Sequence, residues 1–108
     1  MKEPRQAPRI RLGCRLFFSG ENYHEGEGVI VDLSKSGCAA ESETAVTVGM
    51  VLELTIFLPD YDWQLHLDRS IVRWIQGQTF GLEFQDLRPV HRERLRRLVA
   101  TFKASQKA

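Results

Sequence analysis

The sequence has no apolar run longer than a few residues, and only two cysteines and three histidines among its 108 residues. A membrane helix needs about 20 consecutive apolar positions, so none is expected. The opening stretch, MKEPRQAPRIRLG, lacks the apolar block of a secretory signal, which leads to the expectation of a soluble, cytoplasmic protein with no membrane insertion. Cys14 and Cys38 form no CxxC pair, and His24, His66 and His91 share no spacing. Neither a zinc site nor a disulfide framework is therefore indicated, and two buried, reduced thiols are expected. Ser34 and Ser36 lack an adjacent base and the strand-to-helix elbow of a hydrolase. No catalytic residue, metal or cofactor is expected, and the reading is of a protein that is not an enzyme.

What is present suits one folded domain. Hydrophobic residues make up 43% and charged residues 27%, enough apolar material for a core and too much for a disordered chain. The net charge of +1 conceals a pattern. Residues 1–15 carry five cations against Glu3, for +4; residues 16–87 carry three cations against twelve acids, for −9; residues 88–103 carry six cations against Glu93, for +5. An acidic body thus has two basic ends.

From Ile10 the apolar residues alternate through Leu12, Cys14, Leu16 and Phe18, with Arg9, Arg11 and Arg15 in the opposite phase, the pattern of a half-buried strand. The glycines at 26 and 28 read as turns, and Gly28 to Leu33 reads as a short β-branched strand. After the break at Lys35-Ser36-Gly37, the strand pattern resumes at Cys38. Leu52, Leu54, Ile56 and Leu58 alternate in another strand, closed by Pro59-Asp60. Residues 64–75 form a long strand whose phase slips near Arg69 and Ser70, which predicts a bulge. Gln76-Gly77-Gln78 is a tight turn before the last strand, with Phe80, Leu82 and Phe84. Leu95, Leu98, Val99 and Phe102 then follow helical spacing, so residues 89–103 are expected to form an amphipathic helix, capped by Asp86 or a neighbour, with Pro89 in its first turn. The expected fold is all-β: a six-stranded antiparallel barrel over residues 10–86 with a C-terminal α-helix, preceded by a mobile arginine-bearing segment, 1–9.

Two motifs carry the chemistry. Arg5-Gln-Ala-Pro-Arg9 is an RxxxR, and the arginine fork suits phosphate oxygens or the O6 and N7 edge of guanine. Asp32-Leu-Ser34-Lys-Ser-Gly37 is a DxSxxG at a strand end. There a carboxylate can accept from guanine N1 and N2, a hydroxyl adds an adaptable partner, and glycine permits close approach. A second RxxxR, Arg11 to Arg15, shares the solvent phase of the first strand, so the Arg5–Arg9 frame is preferred.

In this ordered combination the sequence resembles the PilZ family, bacterial receptors for cyclic di-GMP built as a six-stranded antiparallel barrel with a C-terminal helix. Arg5, Arg9, Asp32, Ser34 and Gly37 match the family signature position by position. Ile71-Val-Arg-Trp74 through Phe80-Gly81-Leu-Glu-Phe84 looks like the family's late hairpin, and the helix around Arg92-Glu-Arg-Leu95 fits as well. The resemblance implies that Arg5 and Arg9 clamp the ligand's phosphates and guanine faces while Asp32, Ser34 and Gly37 hold a guanine. Trp74 and Gly81 are further candidate contacts, Trp74 as a stacking face with core packing as its competing reading. Gln6 follows Arg5 where many relatives carry a second arginine.

The expected function is that of a cyclic di-GMP receptor and adaptor whose N-terminal segment becomes ordered on the ligand and signals to a protein partner. A ligand-independent interaction module on the same fold is the alternative. Binding of DNA or RNA is not expected, because the −9 body opposes a nucleic-acid groove. The helix shows no heptad that would pair two copies.

Overall fold

The computed structural model describes residues 10–11, 13–21, 24–58 and 61–106. The segment 1–9, with Arg5 and Arg9, lies outside the described residues. Among the described residues seven strands are followed by one helix: β1 Ile10–Arg11, β2 Arg15–Ser19, β3 Glu25–Leu33, β4 Gly37–Glu41, β5 Val51–Ile56, β6 Leu65–Gln76, β7 Thr79–Gln85 and α1 Pro89–Gln106. Six of the strands close a ring in the order β3-β2-β5-β6-β7-β4, with the β3–β4 pairing sealing it, and every neighbouring pair is antiparallel. The six-stranded barrel expected from the alternation is thus present.

The first strand is interrupted rather than continuous. Ile10 and Arg11 pair with Leu33 and Asp32, whereas Arg15 pairs with Val29, so one extra residue intervenes between the two registers. The break falls at Gly13, and the Ile30 N–H donates to the Cys14 carbonyl at 2.8 Å across it. Gly26 and Gly28 lie within β3 and form no turn. Each occupies a place where a side chain has no room: the Phe18 ring fills the space beside Gly26, and the Glu41 carbonyl comes up against Gly28.

Inside the ring sit Leu16, Phe18, Ile30, Leu33, Leu54, Ile56, Leu67, Val72, Phe80 and Leu82, all buried. Phe18 and Phe80 meet edge to face, centroids 5.8 Å apart, an arrangement that adds about 1 kcal/mol beyond area burial. Leu95, Leu98 and Val99 carry α1 into the same core, and the helix packs against β1 and β6. α1 runs from Pro89 to Gln106, three residues beyond the expected end. Asp86 does not cap it. It takes a left-handed backbone, φ 49°, in the turn after β7, and the Arg88 carbonyl is the first to accept in the helix, from the Arg92 N–H at 2.9 Å. Among the described residues no helix is long and apolar enough to cross a membrane.

Candidate functional site

Strict alternation would turn Asp32 inward, two positions after the buried Ile30. A bulge prevents it: Ile30 pairs with Ala40 and Asp32 with Ala39, so Val31 is the additional residue and Asp32 turns to the outer side, half-buried with its Oδ1 shielded, while Leu33 returns to the core. β6 repeats the device. Val72 pairs with Leu82 and Trp74 with Gly81, which makes Arg73 the extra residue and turns Trp74 onto the outer wall, 42% exposed. The slip expected near Arg69 and Ser70 is a separate bulge toward β5, where Glu53 stands opposite both Asp68 and Arg69.

These registers place Asp32, Ala39, Gly81 and Trp74 in one row across β3, β4, β7 and β6. At the usual strand spacing the row is about 14 Å long. Its middle is floored by small residues, and the Trp74 indole lies over Gly81 where a Cβ would otherwise stand. Ser36, Gly37, Arg73, Trp74, Gly81 and Glu83 line a cleft of about 200 Å³ beside the row. Arg73 Nε donates to Glu83 Oε1 at 2.6 Å, so an exposed cation and anion flank the tryptophan.

The β3–β4 turn is built by Ser34. Its hydroxyl donates to the Gly37 carbonyl at 3.2 Å and accepts from the Ser36 N–H at 3.3 Å, while its own N–H donates to the Gly37 carbonyl at 2.8 Å. Ser34 is consequently buried. Gly37 begins β4 tight against the Leu82 carbonyl of β7, which leaves no space for a Cβ.

Of the sequence-derived site residues, the structure brings Asp32, Gly37, Trp74 and Gly81 onto one wall and buries Ser34 in the turn at its end, and Arg5 and Arg9 lie outside the described residues. β1 pairs Arg11 with Asp32 and Ile10 with Leu33, so the N-terminal end of β1 abuts the Ser34–Gly37 turn. Arg15, from the second RxxxR, is engaged elsewhere: its guanidinium lies 5.3 Å from the Phe57 ring centre and 3.7 Å from Glu27. Arg73 and Glu83 are cleft residues that the sequence reading missed. Counting outward from the Gly77-Gln78 turn pairs Trp74 with Gly81, but the bulge at Arg73 has no such signal.

A polar cluster that the histidine spacing did not reveal lies where α1 meets β6, with Glu53 of β5 joined to it through His66. His66 Nε2 is 2.9 Å from Glu53 and 3.3 Å from Asp68, and Arg88 grips Asp68 through two bonds of 2.6 and 3.2 Å. The His91 ring lies 5.9 Å from that of His66. The Arg88 hydrogen bond holds the Asp68 carboxyl below its ordinary value, and burial is the main cause that holds His91 below its own. On the exposed side of α1, Arg96 and Arg97 both bond Glu93 and pull its carboxyl down to about 2.

The PilZ domain family model matches residues 2–101. No curated protein matches the chain. Among solved structures, the fold is similar to the Bacillus subtilis inhibitor of motility MotI/DgrA, with a TM-score of 0.79 at 17% identity over 99% of this chain and 55% of that one. It is also similar to the PilZ domain of Escherichia coli YcgR bound to c-di-GMP (TM-score 0.76, 16% identity, 97% of this chain and 95% of that one). The PilZ domain of CeSA from a cellulose-synthesizing bacterium aligns with a TM-score of 0.69 at 15% identity over 89% of this chain and 98% of that one. The chain thus spans about half the length of MotI/DgrA and nearly all of the two isolated PilZ domains.

Proposed function

The chain belongs to the PilZ domain family, and from that membership we propose that it is a cyclic di-GMP receptor of the adaptor kind, without catalytic activity of its own. The observation that carries the reading is the outward row from Asp32 to Trp74, because two separate bulges are needed to present a carboxylate and an aromatic face on the same wall. The Asp32 carboxylate can accept from guanine N1 and N2, and a base can stack on Trp74 above the small floor at Gly81. Ser34 serves by shaping the turn, and Gly37 lets β4 close against the Leu82 carbonyl of β7 beside it. Arg5 and Arg9 supply the cations for the two phosphates. The end of β1 beside the turn supports this pairing of motifs, since the chain reaches Ile10 next to Leu33. Ordering of the segment 1–9 on the ligand, and its presentation to a protein partner, complete the proposed mechanism.

Titration calorimetry with cyclic di-GMP tests the assignment. Hydrogen bonds to charged groups contribute about 1.5–3 kcal/mol each, so Arg9→Ala and Asp32→Ala should each weaken binding by roughly one to two decades. Undiminished affinity in both variants refutes the site. No binding by the unaltered chain, which carries Gln6 beside Arg5, favours the ligand-independent module instead.

A further inference from the structure

Arg73 and Glu83 share the cleft beside Trp74, and neither belongs to the two sequence motifs. Arg73 is exposed as the extra residue of the β6 bulge, and Glu83 is exposed because it follows Gly81 by two positions on β7 and keeps to the same outer face. The registered partner of Glu83 on β4 is Gly37, which brings no side chain to that side of the carboxylate. One bond joins the pair, Arg73 Nε to Glu83 Oε1 at 2.6 Å, with about half of each side chain exposed. It engages one donor of the guanidinium and one oxygen of the carboxylate. Among the described residues the Arg73 Nη groups and Glu83 Oε2 make no other hydrogen bond.

A base laid on the Trp74 ring would meet this pair at its edge. The Watson–Crick edge of guanine presents an acceptor, O6, followed by two donors, N1–H and N2–H. The pair presents the complement, a donor at Arg73 Nη followed by the oxygens of a carboxylate. Adenine offers one donor and one acceptor on the same edge, so its N1 lone pair would face the Glu83 carboxylate and be repelled. A phosphate would likewise meet the Glu83 charge beside Arg73, which suits the pair to a neutral base rather than to an anion. The bond between them also holds both groups at the cleft before a ligand arrives, so a base gains their contacts with less ordering.

We infer that Arg73 and Glu83 are specificity-determining residues that read a guanine stacked on Trp74, Glu83 accepting from N1 and N2 while Arg73 donates to O6. Asp32 stands about 14 Å from Trp74, at the other end of the row, so this guanine is not the one that Asp32 receives. The outer wall thus has two guanine places, one at each end. The inference rests on the cyclic di-GMP reading and adds to it the choice of guanine over adenine at the Trp74 end.

Titration calorimetry of the full chain with cyclic di-GMP and with cyclic di-AMP reads the ratio of the two affinities, which should favour cyclic di-GMP by at least about a hundredfold. Glu83→Gln keeps the shape but supplies an amide, which can donate to adenine N1 and accept from adenine N6. The ratio should therefore fall at least about tenfold, through a loss for cyclic di-GMP and a gain for cyclic di-AMP. Arg73→Met should weaken cyclic di-GMP about tenfold and leave cyclic di-AMP where it was. Both side chains lie at the surface, so the barrel should fold in either variant. Trp74→Leu is the control: stacking is tolerant of base identity, so both ligands should weaken alike and the ratio should hold. A native ratio in either pair variant overturns the inference while cyclic di-GMP binding stands, as does an unaltered chain that takes both ligands equally. An unaltered chain that binds no cyclic di-GMP overturns it together with the proposed function.

Discussion

The Trp74 indole lies across Gly81, its registered partner on β7, in the space where a side chain at position 81 would begin. A methyl group there must displace the ring. Gly81→Ala is therefore expected to shift the emission of Trp74 and to weaken cyclic di-GMP about tenfold, the size of one lost base–aromatic stack. A variant with native emission and native affinity would remove Trp74 from the site.

The same reasoning at Gly37 predicts a change in folding rather than in binding alone. Its missing Cβ faces the Leu82 carbonyl, a backbone atom that cannot swing aside. Gly37→Ala should cost about 1–3 kcal/mol of stability, the usual penalty of overpacking, read as a lowered urea midpoint. An unaltered midpoint would mean that the β4–β7 pair can separate without cost.

Ser70 faces the core with its hydroxyl buried and unpartnered among the described residues. Such a group costs about 1–3 kcal/mol against an apolar side chain of similar size. Ser70→Ala should accordingly raise the melting temperature, and a fall would show that the hydroxyl has a role in the bulge beside it.

Acid should loosen α1 from the barrel through His91. Burial comes first among the causes that lower its value, followed by the positive charges of His66, Arg94 and Arg88, with Asp68 opposing them. The folded chain therefore binds this proton less readily than the unfolded chain does. Its contribution to stability is full above the ordinary histidine value of about 6.5 and is lost as the pH falls below it. Urea midpoints should drop between about pH 7.5 and pH 5, with a shallower drop in His91→Gln. Equal slopes in the two proteins would assign the acid sensitivity to other groups.

Alternation made most of the barrel legible, because Leu16, Phe18, Leu54, Ile56 and Leu82 each follow the period of two and each is buried. The bulge at Asp68–Arg69 was also readable, since the buried series Leu65, Leu67, Ser70, Val72 changes phase within the sequence itself. The bulge at Arg73 was hidden by the residues around it: Val72 and Trp74 look like one inward series, yet only Val72 is buried. Tryptophan is apolar enough to satisfy a core pattern while standing outside it. Gly26 and Gly28 misled for the opposite reason, as residues common in turns that here admit an aromatic ring and a carbonyl into the middle of a strand. The cluster around His66 and His91 depends on where α1 docks, which spacing along the chain does not encode.

The break at Gly13 leaves two ladders along β3 in place of one. Among the described residues β1 is joined to β3 by two residue pairs, whereas β2 is joined to it by five and to β5 by four. The register change between Arg11 and Arg15 separates the two pairs at Asp32 and Leu33 from the five that run from Arg15 to Ser19. The edge that borders Asp32 is thus held by its own short ladder and not by the one that closes the ring.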